Sequence, residues 1–420
     1  MTTVHIIGAG LAGLAAAVRL ARQGVEVRVW ESASQAGGRC RSYVDKPMGR
    51  LIDNGNHLLM SGNRSALAYL DEIGARDSLM GPSRAIYPFV DLKTGARWTV
   101  EPGSGRLPTW ILNARTRVPG TTLGDYLSVV RLLLARQDAT VADAVPTRGA
   151  LYERFWEPLT IAALNTTAER GAASLLKAVL KETFLKGEAA CRPLIARDGL
   201  GSSFIAPALA LLERNQCTVR FNERLRAFEV EGRYIRRLDF GEEQVEISGN
   251  ALVILAVPAF RAVELVPGLE APGDGETIVN AHFRLSEAVA TPIAAPLLGL
   301  INATAHWIFV RGDIVSVTIS AAGEIAERDS DELTEILWRE TASALELGDM
   351  AYEAARLIKE KRATFDQSPA GVRRRPGPET ALANLLLAGD WTDTGLPATI
   401  ESAIRSGHTA AALALERLGT

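Results

Sequence analysis

The first forty residues constrain the fold more than any other part of the chain. An apolar run at residues 4–7 leads into a glycine-rich turn at residues 8–13, and the helical pattern that follows ends at Gly24. A second apolar run ends in Glu31. This order of strand, glycine turn, helix, strand and acid predicts a dinucleotide-binding unit, with Glu31 on the hydroxyls of an unphosphorylated adenosine ribose.

The glycines of the first turn each have a predicted role. Gly8 allows the tight turn, Gly10 lets backbone amides approach a pyrophosphate, and Gly13 lets the helix pack against its strand. The N-terminus of the helical pattern, Leu14 to Gln23, then faces the phosphates, and Leu11 and Ala12 in the turn before it are also expected to contact the cofactor. Taken alone, the pattern also fits an ordinary glycine-rich connection between a strand and a helix.

A second glycine turn argues against interpreting the first one as an ordinary connection between a strand and a helix. Residues 32–41 follow Glu31 directly and contain Gly38, Arg39 and Arg41. Arg39 and Arg41 stand where the pyrophosphate and flavin of an extended cofactor would continue. NAD-binding domains do not usually need such a turn. The two turns together predict bound FAD.

Composition indicates a large enzyme rather than a small binding module. A chain of 420 residues with a net charge of −3 is long enough for two domains and has no basic excess, so nucleic acid is not an expected partner. The cysteines, Cys40, Cys191 and Cys217, have no metal-binding spacing. We interpret them as structural, expect no metal site, and take them to indicate a reducing cytoplasm.

Strand patterns that return late in the chain predict two interleaved domains. Apolar strands near residues 217–225, 251–258 and 385–391 resemble additions to the N-terminal sheet. We therefore predict an α/β fold with a Rossmann-like FAD-binding domain and an α+β substrate-binding domain. The FAD-binding domain is expected to comprise residues 1–80, 198–267 and 356–420, and the substrate-binding domain residues 81–197 and 268–355.

Attachment to a membrane surface stays open from the sequence. The first strand begins at the N-terminus, so no cleavable signal is expected, and no run of eighteen apolar residues occurs. Residues 126–136 carry an apolar stripe flanked by arginines, which fits either a helix facing the core or one lying on a membrane; amphipathicity favours the core. The expected location is the cytoplasm, with peripheral contact to the inner face of the membrane as the alternative.

The separated cofactor motifs resemble the flavin amine oxidase and phytoene desaturase superfamily over nearly the whole chain. That resemblance implies that Leu225 lies beside the adenine and that Gly389 and Asp390 reach the ribityl and pyrophosphate region. It also implies that Thr399 and Ile400 lie against the flavin ring. Thr399 stands where amine oxidases place an aromatic residue, so an amine-binding cage would be incomplete here.

One branch of the superfamily is more similar, namely the squalene-associated FAD-dependent desaturases, also called hydroxysqualene dehydroxylases. The resemblance rests on residues 53–59, 156–159, 163–166, 363–365 and 389–403. It implies a hydrophobic C30 isoprenoid substrate, reductive removal of its hydroxyl group, and an electron donor that the sequence does not identify. An apolar tunnel to the flavin is then expected, built from segments such as 127–134 and 294–301.

The dehydroxylation that the resemblance implies needs a proton donor, because hydroxide is a poor leaving group. The candidates are Asp53, His57, Asp366, Asp393 and Glu401, and each of them also has a structural interpretation as a turn anchor, a hydrogen-bonded core residue or a solvated side chain. We prefer Asp393 and His57 as catalytic residues because both lie in the stretches that carry the resemblance.

Two other functions stay open from the sequence. The first is an FAD-dependent oxidase or desaturase of another hydrophobic isoprenoid or amine, which would run the flavin in the opposite direction. The second is a prenyl-binding carrier similar to the GDP-dissociation inhibitors, which have no flavin. The intact glycine turns and Asp390 argue against a carrier. FAD is expected to be bound noncovalently, since no histidine or cysteine lies in a recognisable flavin-linking context.

Overall fold

A computed structural model describes residues 3–103, 105, 108–292 and 295–419. Ala294, at the start of one predicted tunnel segment, lies outside the described residues. Strands within these ranges are numbered β1 to β20 in chain order: Thr3–Ile7, Glu26–Trp30, Ser42–Asp45, Arg50–Asp53, Leu59–Met60, Leu79–Met80, Tyr87–Asp91, Arg97–Val100, Pro193–Ala196, Thr218–Arg220, Ala227–Glu231, Tyr234–Asp239, Gln244–Glu246, Leu252–Leu255, Ile278–Arg284, Leu297–Ile301, Trp307–Arg311, Ile314–Ile319, Ala354–Glu360 and Leu385–Leu387.

Helices of the same ranges are numbered α1 to α12: Leu11–Arg22, Arg64–Glu72, Leu127–Leu133, Val141–Ala144, Glu157–Leu164, Ala173–Glu182, Glu188–Cys191, Ala206–Arg214, Ala259–Leu265, Ser330–Leu345, Pro369–Arg373 and Ile400–Leu418. Short 3₁₀ and π turns connect several of them. No helix in the described part of the chain is both long and apolar enough to cross a membrane.

A five-stranded parallel sheet forms the first layer, in the order β10-β2-β1-β14-β20. Its central strands are continuous apolar runs because helices cover both faces of a parallel sheet. Helix α1 packs tightly against α12: a Cβ atom on Gly407 would lie 2.1 Å from the carbonyl oxygen of Ala12. The N-terminal and C-terminal segments thus meet beside the same sheet.

A seven-stranded mixed sheet forms the second layer, in the order β19-β15-β18-β17-β16-β7-β8. Its neighbouring strands are antiparallel apart from the parallel pair β16 and β7. Side chains alternate between its faces, as the pleat requires. On β17, Ile308 and Val310 join the core under α10, whereas Trp307 and Phe309 point to the opposite face and line a cavity.

Two strands, β9 and β19, cross the predicted division of the chain. Strand β9, Pro193–Ala196, lies in the predicted substrate-binding segment but pairs with β5 and β6 of segment 1–80. All strands of the parallel sheet fall in the segments assigned to the FAD-binding domain, and the seven-stranded sheet draws on residues 87–100 and 278–319. Strand β19, Ala354–Glu360, pairs with β15 in the seven-stranded sheet, although the predicted boundary at residue 356 divides it. The substrate-side sheet therefore continues to residue 360.

Candidate active site

A cavity is lined by residues that follow strands of the parallel sheet and by residues of the seven-stranded sheet. Its volume of about 720 Å³ is in the upper part of the range for ligand sites. One part, called the cofactor cradle here, is formed by the glycine turns and the N-termini of two helices. The other part, called the apolar arm, is formed by side chains of the seven-stranded sheet and neighbouring helices. The two parts are continuous.

The first glycine turn fits the predicted backbone roles. Gly8 has φ +108°, and a Cβ atom on it would lie 2.5 Å from the carbonyl oxygen of Ala256. Such an atom on Gly13, which does not line the cavity, would lie 1.9 Å from the carbonyl oxygen of Gly8. Any side chain at Gly13 would therefore force α1 away from β1.

Gly10 differs from its neighbours because a Cβ atom on it would meet no other atom within 4 Å. With Leu11 and Ala12, it lines the cavity at the start of α1, which has no side-chain cap. The first N–H groups of a helix have no intrahelical partner and favour an anion. This end of α1 can therefore hold a pyrophosphate.

The second glycine turn lies beside the first. The amide of Gly37 donates to the carbonyl oxygen of Ala9 at 2.8 Å, and Gly38 lines the cavity next to Gly10. Glu31, at the end of β2, also lines the cavity. Its carboxylate accepts hydrogen bonds from the amides of Ala9 and Ala33 at 2.7 and 2.8 Å, which holds it at the turn.

Arg39 and Asp390 form an ion pair in the wall of the cradle. The guanidinium of Arg39 donates to Asp390 at 2.6 Å and to the carbonyl oxygen of Ala363 at 2.6 Å. The Asp390 carboxylate raises the pKa of Arg39. Gly389, which precedes Asp390, also lines the cavity. Residues from opposite ends of the chain thus meet at one point of the cofactor site.

Helix α12 also begins at the cavity. Thr399 caps this helix by accepting a hydrogen bond from the amide of Ser402 at 3.1 Å. Thr399 and Ile400 line the cavity. The partial positive charge of this helix end favours negative charge in the ligand that lies against it.

The apolar arm is lined mainly by aromatic and aliphatic side chains. Phe89 and Trp307 meet edge to face, with ring centroids 5.3 Å apart, and the Phe155 and Phe184 rings lie 6.2 Å apart. The hydroxyl of Tyr87 donates to the carbonyl oxygen of Cys191, so it is not free for a ligand. Other lining residues of this arm include Leu58, Met60, Leu159, Ala162, Ala163, Val179, Ile278 and Phe309.

His57 lies where the cradle and the arm meet. Its imidazole is near Arg39 of the cradle, and it shares the wall of a small secondary cavity with Phe309. Burial lowers the pKa of His57 to about 4, although the nearby Asp53 carboxylate opposes the shift. Within the described part of the chain, its ring nitrogens have no hydrogen-bond partner. His57 therefore presents a neutral imidazole to a ligand in the main cavity.

Two of the other predicted proton donors, Asp53 and Glu401, are held in structural contacts. Asp53 lies behind His57 and binds the guanidinium of Arg311 at 2.7 Å and the amide of Leu200 at 2.9 Å. Glu401 lines the cavity, but both of its oxygens cap α2, through the amides of Ser65 and Ala66.

Asp366 and Asp393 lie away from the cavity. Asp366 accepts hydrogen bonds from the amide and hydroxyl of Ser368, at the start of α11. Asp393 is exposed, and its carboxylate accepts only from the amide of Gly395 among the described contacts. None of these contacts brings the Asp393 side chain to the cavity, so its role as a proton donor stays a prediction that the geometry does not favour.

Two further expectations differ from the structure. Leu225 is buried but does not line the cavity; its carbonyl oxygen accepts from Arg261 at 3.0 Å. No residue of the predicted tunnel segment 127–134 lines the cavity, nor does any described residue of segment 294–301. The tunnel walls come instead from β7, β17 and the helices around Phe155 and Phe184, which no local pattern distinguished from ordinary core.

Comparisons with known proteins agree with this geometry. Residues 11–415 match the family described as flavin containing amine oxidoreductase. Hydroxysqualene dehydroxylase from Sinorhizobium fredii is 45% identical over 99% of this chain and 99% of its own length. The enzyme of the same name from Zymomonas mobilis is 43% identical, again over 99% of both chains.

The chain belongs to the hydroxysqualene dehydroxylase family. This membership, within the flavin-containing amine oxidoreductases, confirms the predicted resemblance and makes the protein an FAD-dependent oxidoreductase. It does not support the carrier alternative. The cradle fits FAD: two glycines leave no room for a side chain, two helix N-termini face the cavity, and Glu31 stands at the end of β2.

Solved structures of this architecture confirm the predicted fold class. Cyclohexylamine oxidase from Brevibacterium oxydans superposes on the family member described here with a TM-score of 0.71 at 14% identity, over 100% of both chains. Putrescine oxidase bound to putrescine superposes with a TM-score of 0.69 at 17% identity, over 99% of both. At these identities the likeness establishes the fold alone.

Proposed function

We propose that the protein removes the hydroxyl group of hydroxysqualene reductively and releases squalene. The observation that carries this proposal is the continuity of an aromatic-lined apolar arm with the cofactor cradle, with His57 at their junction. A long hydrocarbon suits such an arm because its walls offer few free polar groups. The relatives at 43–45% identity are named hydroxysqualene dehydroxylases, which supports the same substrate.

The proposed reaction breaks one C–O bond and forms one C–H bond. The substrate gains a hydride at carbon, its oxygen gains a proton, and water leaves. Bound FAD in its reduced form supplies the hydride. The protein must therefore deliver a proton to the hydroxyl oxygen, stabilise positive charge at the carbon, and keep other nucleophiles away from it.

His57 is the proposed hydrogen-bond donor to the departing oxygen. Because its pKa is lowered to about 4, the imidazole is neutral near pH 7 and carries one N–H group and one bare nitrogen. The N–H proton can pass to the departing oxygen while the bare nitrogen takes up a proton from solvent, so the imidazole stays neutral and the oxygen leaves as water. Glu401 cannot take this role without giving up the cap of α2.

The aromatic walls are proposed to stabilise the allylic cation that forms when the C–O bond breaks. The faces of Trp and Phe rings attract a cation within about 6 Å of the ring centre. Trp307 and Phe309 lie side by side on β17, on the face of the sheet that meets the cavity. Neither ring can add to the cation as water would.

Each turnover consumes two electrons, so an external reductant must restore the flavin. We propose a separate two-electron donor, whose identity neither the sequence nor the cavity indicates. The oxidative alternative, a desaturase or oxidase, needs an electron acceptor in its place. The direction of electron flow is therefore the property to measure.

The test is a single-turnover reaction without oxygen. The holoenzyme is photoreduced and mixed with hydroxysqualene, the flavin absorbance is followed, and the extract is assayed for squalene. We expect the flavin to be reoxidised with one squalene formed per flavin. A flavin that stays reduced in the presence of this substrate would contradict the proposal and favour the oxidative alternative.

A further inference from the structure

Half of the large hydrophobic side chains that are exposed in the described part of the chain lie between residues 112 and 134. They are Leu112, Leu123, Leu127, Val130 and Leu134, called the leucine surface below. Leu127 is 65% exposed and Leu134 is 78% exposed. Single exposed leucines are ordinary, but a contiguous group of them marks an interaction site.

Four members of the leucine surface share one side of a helical segment. Residues 123, 127, 130 and 134 are spaced by four, three and four positions, which places them on one face. The other side of α3 is buried through Ser128 and Leu132. Helix α3 therefore has two apolar faces, of which only one packs on the protein.

The turn that carries Leu112 packs against the start of this helical segment. This 3₁₀ turn, Thr109–Leu112, contains Trp110, whose ring meets Tyr126 edge to face at 5.6 Å between centroids. The hydroxyl of Tyr126 in turn accepts a hydrogen bond from the amide of Val118 at 3.1 Å. These contacts fix the two segments beside each other, so the surface is part of the folded structure.

The charge around the leucine surface is opposite to that of the whole chain. Residues 109–136 contain four arginines, Arg115, Arg117, Arg131 and Arg136, and one acid, Asp125, whereas the chain carries a net charge of −3. Arg136 pairs with Asp138 at 3.1 Å, and the excess of positive charge remains. Arg115 and Arg131 are exposed. Apolar side chains surrounded by arginines match the boundary between the acyl chains and the headgroups of an anionic bilayer.

The leucine surface is also close to the apolar arm. On the buried side of α3, the hydroxyl of Ser128 accepts a hydrogen bond from the indole of Trp156 at 3.0 Å. The residue before it, Phe155, lines the cavity. The buried side of α3 therefore packs on the segment that contributes Phe155 to the wall of the arm.

We infer that the leucine surface docks on an anionic phospholipid bilayer, with its leucines among the acyl chains and Arg131 at the headgroups. Docking at this position places the apolar arm next to the phase in which a C30 hydrocarbon dissolves. This second statement rests on the proposed function, whereas docking itself does not.

Vesicle flotation tests the docking step. Holoenzyme is mixed with phosphatidylcholine vesicles that contain or lack phosphatidylglycerol, and flavin absorbance reports how much protein floats. We expect flotation with the anionic vesicles. The L127Q/L134Q variant should bind the anionic vesicles at least about tenfold more weakly. Arg131→Gln should bind about fivefold more weakly to anionic vesicles alone.

A matched control distinguishes the leucine surface from general surface hydrophobicity. Val230 and Val263 are also exposed but lie on β11 and α9. The V230Q/V263Q variant should float like the wild-type protein. Wild-type protein that does not float, or L127Q/L134Q protein that floats equally well, overturns the inference. Self-association that L127Q/L134Q abolishes, without lipid binding, would assign the surface to a second copy of this chain.

Turnover separates docking from catalysis. The L127Q/L134Q variant should match the wild-type rate when hydroxysqualene is supplied in detergent, and should lose most of its rate when the substrate is in anionic vesicles. Loss of flotation without any loss of turnover from vesicles would contradict substrate uptake from the bilayer. If neither protein turns over in detergent, the proposed function fails while flotation still decides docking.

Discussion

The cofactor cradle and the apolar arm share one cavity but are built in different ways. The cradle is made by backbone: glycine turns at residues 8–13 and 37–38 and the starts of α1 and α12. The arm is made by alternate side chains on strands and helices that are far apart in the chain, such as Phe89, Phe155 and Trp307. Cofactor binding is thus encoded in short contiguous motifs, whereas substrate binding depends on which strands pair.

Two glycines of the first glycine turn, Gly13 and Gly10, provide the largest expected effect. Gly13→Ala should disrupt the packing of α1 on β1, because its Cβ atom would lie 1.9 Å from a carbonyl oxygen. We expect the free energy of unfolding to fall by at least about 1–3 kcal/mol. Gly10→Ala should leave the apoprotein stable and weaken FAD binding, because its Cβ atom meets no protein atom and projects at the cofactor site. Flavin content and urea unfolding of the apoprotein distinguish these effects. Equal stability of the two variants would contradict the distinction.

The junction of cradle and arm provides the next prediction. His57→Phe should lower turnover about a hundredfold with normal flavin content, because it removes the proposed donor to the hydroxyl oxygen. Asp393→Asn is the matched control and should leave turnover unchanged, since Asp393 is exposed and outside the cavity. Single-turnover rates with photoreduced enzyme are the measurement. A large loss in the Asp393 variant would restore that residue as a candidate.

The pH dependence of the free energy of unfolding tests one buried histidine in each of the two sheets. Burial lowers the pKa values of His5 on β1 and His282 on β15 to about 4 from 6.5. Between pH 4 and 6.5 the unfolded chain binds protons that the folded chain does not, so the free energy of unfolding should fall as the pH falls. Each histidine contributes about 1.4 kcal/mol per pH unit at most.

Urea unfolding from pH 7 to pH 4.5 measures this dependence. His5→Gln and His282→Gln should each reduce the slope of stability against pH, whatever they do to stability at pH 7. Equal reductions would mean that the two sheets unfold as one unit. A slope that neither variant changes would show that neither histidine is a source of the acid sensitivity.

The arm provides the smallest expected effect. Trp307→Leu should lower kcat/KM for hydroxysqualene about tenfold, because it removes an aromatic face from the cavity wall while keeping the site apolar. Trp338→Leu is the control, since Trp338 packs on Phe283 in the core behind the sheet and does not line the cavity. It should reduce stability and leave kcat/KM unchanged. The reverse pattern would mean that β17 does not contact the substrate.

The sequence by itself determined the cofactor site, because strand, glycine turn and helix follow one another within about thirty residues and each glycine answers a local backbone requirement. It also determined the family, through long contiguous stretches such as residues 389–403. The parallel sheet was predictable for the same reason: its strands are continuous apolar runs separated by helices.

Only the tertiary structure decided which polar side chains meet the cavity. Asp53, Glu401, Asp366 and His57 are all candidate proton donors from the sequence. Partners from distant segments bind the carboxylates of Asp53 and Glu401, and the nearby Ser368 binds that of Asp366, whereas His57 lines the cavity. The tertiary structure also decided which face of residues 127–134 is buried. Their apolar period is typical of a core helix. In the structure the side of the helix that carries Ser128 packs on Trp156, so three residues of the leucine surface point outward. Periodicity fixes which residues share a face, but long-range contacts decide which face is covered.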